Sequence, residues 1–82
     1  MWISERKQII KNIKKNLLDL KKTDILKRHY YTNRNQLKEY LDNKTKIIIN
    51  CSELLRKLDV HDSEKAKLTM ELLQYYRGKE FE

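Results

Sequence analysis

The sequence predicts an all-α fold, a small antiparallel three- or four-helix bundle, on three observations. The chain has 82 residues with no proline and one glycine, Gly78, so the residues that tight turns and sheet corners need are missing. Its apolar residues recur at helical spacing, although charged residues make up 38% of the chain and would otherwise suggest disorder. The stretches between periodic segments are short and carry Thr, Asn, Asp and Ser, which suit helix starts, and short connections favour antiparallel neighbours. A single helical domain over residues 1–82 is all this length supports, and so short a chain has only a thin margin of buried surface.

Each element follows from the pattern. Projected at about 100° per residue, Ile9, Ile10, Ile13, Leu17 and Leu20 fall within an arc of roughly 100°, which predicts an amphipathic helix over about 4–22. Ser4 is placed to cap it, and Glu5 complements the dipole in its first turn. Continued further, this helix would carry Asp24 into the middle of its apolar stripe. Its end is therefore placed near Lys22, and Thr23–Asp24 is read as the start of a short helix over 24–31 with Ile25, Leu26, His29 and Tyr30 on one side.

Thr32 or Asn33 then caps a long helix over about 34–58. Leu37, Tyr40, Leu41, Ile47, Ile48, Cys51, Leu54, Leu55 and Leu58 share one face of about 140° on it. Its other face sets opposite charges four apart, Lys38 with Asp42, Asp42 with Lys46 and Glu53 with Lys57, the pattern of a solvated surface. "DVHDSE" is the last connection, with Asp62 or Ser63 as cap, and the final helix spans about 63–77 before Gly78. Ala66, Leu68, Leu72, Leu73, Tyr75 and Tyr76 spread over about 180° of it, wider than one neighbouring helix needs.

The formal net charge of +7 is concentrated at one end, since residues 1–22 hold seven Lys and Arg against two acids. Lys7, Lys11, Lys14, Lys15, Lys21 and Lys22 cluster in an arc of about 120° beside the apolar stripe, with no acid among them. Lys7 with Lys11 and Lys11 with Lys15 repel at four-residue spacing, each at about 0.2–0.5 kcal/mol of helix stability. Such a face reads as one kept for an anion: phosphate, anionic lipid or an acidic protein surface. The competing reading is compositional drift, because richness in Lys, Ile and Asn is the mark of AT-rich coding, as in low-GC bacteria or their phages.

Catalytic chemistry is not assembled. His29 and His61 lie far apart with no nucleophile beside either, and Cys51 sits within an apolar face. Asp59, His61, Asp62 and Glu64 cluster in the last connection but lack the glycine and spacing of a calcium loop, and no zinc spacing or glycine-rich phosphate loop occurs. The expectation is a non-enzyme with no cofactor, no metal site and no small-molecule substrate. The lone cysteine argues for a reducing compartment, and the opening "MWISERKQII" has no long apolar run, so a cytoplasmic protein is expected.

"DSEKAKLTMELLQYY" resembles the second helix of the small sporulation-control aspartyl-phosphate phosphatases, whose signature reads Ser-Gln-Glu-Leu-Asp. The matching stretch here is Thr69 to Leu73, and Leu73 stands where that family has its functional aspartate, so the resemblance implies no phosphatase activity.

Two functional expectations remain. The first is a helical interaction protein, a regulator, inhibitor or assembly subunit, that binds a protein partner or itself through Leu68, Leu72, Tyr75 and Tyr76, the partner being acidic if the lysine face takes part. The second is nucleic-acid binding by the six lysines together with Tyr31 and Arg34, weakened by the lack of a helix-turn-helix pattern or an RNA-binding signature. Docking on a membrane surface ranks third, because the apolar stripe is needed for the core.

Overall fold

A computed structural model describes residues 3–25 and 34–80, with side chains over 3–24 and 34–75. These residues are all-helical: α1 (Ile3–Ile25), α2 (Arg34–Arg56) and α3 (Ser63–Glu80), with no strand among them. The three helices share one core, formed by Ile10, Ile13, Leu17 and Leu20 of α1, Ile48, Cys51 and Leu55 of α2, Leu58 just beyond it, and Leu68 and Leu72 of α3. Ile9, Ile47, Leu54 and Tyr75 pack against its rim. The body is elongated, 46 × 21 × 16 Å, and each helix buries one stripe against this core.

The inward stripe of α1 has a regular spacing. Arg6, Ile10, Ile13, Leu17, Leu20 and Asp24 alternate steps of four and three residues, the spacing that keeps a seam facing a partner helix. Its apolar middle is sealed, with Ile13 and Leu20 at 0% exposure. Its two charged ends reach across to other elements, Arg6 to Asp62 and Asp24 to Lys44.

That second contact corrects the expected boundary. α1 continues through Asp24 to Ile25, rather than ending near Lys22 with a new helix beginning at Thr23–Asp24. The acid does fall on the stripe, but Lys44 of α2, 4% exposed, lies opposite and answers it. Thr23 fits the helix interior by donating its hydroxyl to the Asp19 carbonyl at 2.7 Å. Ser4, expected as the cap, lies within the first turn instead. The remainder of the expected 24–31 helix, with His29, Tyr30 and Tyr31, lies outside the described residues, as do the caps expected at Thr32 and Asn33.

The end of α2 shows how a chain without suitable glycines stops a helix. Lys57 and Leu58 donate their backbone N–H groups to the Leu54 and Leu55 carbonyls at 3.1 and 3.2 Å, tightening the last turn. The ammonium of Lys65 then caps the Leu58 carbonyl at 3.1 Å. Among the described residues no backbone takes a positive φ. Of the two caps expected for α3, Asp62 serves: its Oδ1 accepts the Glu64 N–H at 2.9 Å.

The four-residue charge pairs expected along α2 do not close. Among the described residues the ion pairs are the two tertiary ones, Arg6–Asp62 and Lys44–Asp24. An exposed pair gains little in water and costs side-chain entropy, so Lys38, Asp42, Lys46, Glu53 and Lys57 stay solvated singly.

Candidate functional site

The lysine face lies where α1 turns its back on the core. Lys7, Lys11, Lys14, Lys15, Lys21 and Lys22 are all exposed, and among the described residues none is held by a hydrogen bond or an ion pair. A shift of one residue from the buried seam yields a second seam on α1: Lys7, Lys11, Lys14, Leu18 and Lys21, again in steps of four and three. Leu18 is 50% exposed in the midst of these cations.

This second seam forms one wall of a furrow between α1 and α3. Near its start, an open depression of about 400 Å³ is lined by Arg6, Lys7, Ile10, Lys11, Lys14 and Glu64. Further along, a depression of about 360 Å³ is lined by Lys14, Leu17, Leu18, Lys21, Glu71 and Tyr75. Lys14 belongs to both. The α1 wall is therefore cationic with one apolar break, while the α3 wall offers Glu64, Glu71 and the half-buried Tyr75. Lys15 faces the other way, into a polar depression of about 350 Å³ with Asn12, Asn16, Asp19, Asn50 and Leu54.

Two ionic contacts anchor α1, one to the residue that precedes α3 and one to α2. The Arg6 guanidinium donates from Nε to Asp62 Oδ2 at 2.6 Å and from Nη2 to Oδ1 at 3.0 Å, a bidentate pair. The hydrogen bond from Arg6, followed by that from the Glu64 N–H, holds the Asp62 carboxyl below the usual aspartate range. The same bond to Asp62 raises the guanidinium pKa of Arg6. At the far end, Asp24 Oδ1 accepts the Tyr40 hydroxyl at 2.8 Å and pairs with Lys44 Nζ at 3.0 Å. That ammonium also lies 5.8 Å from the centroid of the Tyr40 ring. The Tyr75 hydroxyl donates to the Leu17 carbonyl at 3.4 Å, and burial, then the nearby Asp24 and Glu71 carboxylates, raise its pKa.

The residues expected at a protein interface separate. Leu68 and Leu72 are 1% and 4% exposed and belong to the core, because α1 and α2 together cover that side of α3. Tyr75 stands at the rim with its ring against the core cluster. The outward apolar residues of α3 are instead Ala66, Met70 and Leu73. Tyr76 and Tyr31 lie outside the side chains described, and Arg34 is an exposed residue opening α2. Among the described residues the cationic and tyrosine sets meet at the furrow, where Tyr75 lies beside Lys14 and Lys21.

The groups that might have suggested chemistry are engaged otherwise. Cys51 is 0% exposed, and burial pushes its thiol up to about 11, so it stays protonated. Asp59 accepts the His61 backbone N–H at 3.0 Å, and Asp62 holds Arg6 and the start of α3. No three His, Cys, Asp or Glu side chains converge among the described residues. No helix among them is long and apolar enough to cross a membrane.

Comparison with known proteins matches the chain to no family model, to no curated protein and to no solved structure at a significant level.

Proposed function

We propose that this chain is a non-enzymatic helical interaction protein that binds an acidic protein partner through the lysine face of α1. The observation that carries the reading is the set of six exposed lysines that form no ion pair among the described residues. The cations that meet acids, Arg6 and Lys44, do so to join elements. Lysines that repel one another along a helix and neutralise nothing are a standing cost, which an anionic partner relieves. In this reading α1 and α2 run antiparallel as two members of a bundle, consistent with Asp24 near the end of α1 meeting Tyr40 and Lys44 near the start of α2. The bundle serves as a rigid frame for the face in the cytoplasm.

An acidic protein is favoured over a nucleic acid because Glu64 and Glu71 line the opposite wall of the furrow. A phosphate chain laid along the lysines would run beside both carboxylates, whereas a protein can offset its acids toward the α1 wall and place neutral groups against α3.

The test is affinity capture from the native source with the wild-type chain and a Lys7, Lys11, Lys14 and Lys15 to glutamine variant, at low and high salt, with and without nuclease. The expected result is a protein retained after nuclease treatment, released by salt and lost with the variant. A complex released by nuclease assigns the face to nucleic acid, and a variant that retains the same proteins removes the lysines from the function.

A further inference from the structure

Resting on that reading, we infer that the furrow between α1 and α3 is a docking site for an acidic amphipathic helix, with Leu18 as the point that sets its register. Four observations converge. Lys7, Lys11, Lys14, Leu18 and Lys21 repeat in steps of four and three, the spacing at which one helix presents a continuous seam to another. The seam runs through 14 residue steps, from Lys7 to Lys21, which at 1.5 Å of rise gives a track of about 21 Å, four turns of a docked helix.

The third observation is the break in charge. Leu18 occupies a seam position where a fifth lysine would otherwise stand, and it is 50% exposed, with the Tyr75 ring lining the same depression. An apolar residue of the partner placed there removes both surfaces from water, and it fits only where the partner's acids reach Lys14 and Lys21 on either side. Charge supplies attraction and encounter rate, and the apolar contact fixes position.

The fourth observation is complementarity, which selects among occupants. A second copy of this chain would bring lysine against lysine, so self-association through this seam is disfavoured. The carboxylates of Glu64 and Glu71 admit an occupant whose negative charge is confined to one side, as on an amphipathic helix, and disfavour a uniformly charged strand.

The inference is tested with a synthetic helical peptide of about three heptads, carrying Glu opposite the four seam lysines and Leu opposite Leu18. A second peptide has the same composition in scrambled order, and a single-stranded oligonucleotide of matched charge completes the set. Binding of each to the full chain is followed by fluorescence anisotropy at about 50 mM and about 300 mM salt. The in-register peptide is expected to bind at least tenfold more tightly than the scrambled one. Leu18→Ala should abolish that preference while leaving the affinity for the scrambled peptide unchanged. A Lys11→Gln/Lys14→Gln variant should weaken the in-register peptide more than Lys15→Gln/Lys22→Gln does.

Equal binding of the two peptides overturns the docking furrow but leaves an acidic partner on the lysine face. Binding of the oligonucleotide alone, or of nothing, overturns both. Leu18 is half-exposed and outside the core, so its replacement by alanine leaves the fold intact, and circular dichroism checks this.

Discussion

At one end of the buried α1 seam, Arg6 reaches a carboxylate that already caps α3, and at the other, Asp24 reaches a lysine with no second counter-ion among the described residues. The exposures are inverted. The Arg6 side chain is 39% exposed over a 7% exposed Asp62, whereas Lys44 is 5% exposed beneath a 35% exposed Asp24. In the first pair the buried member is an acid with three donors around it: two from Arg6 and the Glu64 N–H. In the second it is an ammonium whose stem lies in the interior and whose charge has one carboxylate and the face of the Tyr40 ring. The first end tolerates loss of its partner, since either group left behind keeps water or backbone for company. The second does not, and the difference shows that what matters is which charge is stranded when a pair breaks.

The largest effect is therefore expected from Asp24→Ala. Removing one partner of a buried pair costs about 3–5 kcal/mol, and the partial exposure of Asp24 puts this case at the lower end of that range. Chemical denaturation should show the loss as a lower midpoint. Cys51 gives an independent readout, because a protonated, fully buried thiol reacts with a disulfide reagent only when the bundle opens. A 3 kcal/mol loss should speed its labelling by about a hundredfold. Lys44→Met, by contrast, removes the charge that would be stranded while keeping the length of the stem, and should leave the midpoint unchanged or raise it. If Lys44→Met proves as damaging as Asp24→Ala, the pair stabilises the bundle outright and the comparison between the two ends collapses.

These two ends were not equally legible. The apolar middle of the seam, Ile10, Ile13, Leu17 and Leu20, follows from helical period alone, because burial of a stripe is what period encodes. Asp24 stands out in the sequence as an anomaly, and period alone answers it with a helix break that the structure does not make. The missing information is across the chain: Lys44 stands four residues from both Tyr40 and Ile48 on α2, a core position for a cation. Two charges on separate apolar stripes cancel only once the helices are laid side by side, and period within one helix cannot reveal that. For the furrow, the lysine cluster was visible as an arc, but its division was not. Lys15 departs from Lys14 and Lys11 because α2 and α3 flank α1 on different sides. The burial of Leu68 and Leu72 is hidden from the sequence for the same reason, since an apolar arc gives the width of a buried face and leaves open which part neighbours cover.

Asp62→Asn comes next in size and is read through pH. The Arg6 hydrogen bonds and the Glu64 N–H lower the pKa of Asp62 in the folded chain, so the ionised carboxylate favours folding. That contribution is fully present above the ordinary aspartate value of about 3.9 and is lost as pH falls through the lower folded value. Asparagine keeps the capping acceptor and removes the charge. The variant should therefore be less stable than wild type at neutral pH, and the two should converge as pH falls through the lowered Asp62 value. A variant whose deficit stays constant across that window would mean that Asp62 acts through shape alone, and the first end would then resemble the second.

The smallest effect, and the sharpest test of how the first end works, is Arg6→Lys. Lysine keeps the positive charge but loses the planar fork that donates from Nε and Nη2 to the two carboxylate oxygens. If charge alone depresses the Asp62 pKa, the substitution changes nothing. Geometry argues otherwise, because the hydrogen bond from Arg6 contributes more to that depression than its charge at a distance. Titration of the Asp62 carboxyl by nuclear magnetic resonance should show its midpoint rising toward the ordinary value in Arg6→Lys, with a small fall in the neutral-pH denaturation midpoint to match, while the Asp62 cap on α3 survives. A midpoint for Asp62 that stays as low as in wild type would show that a point charge suffices at this end.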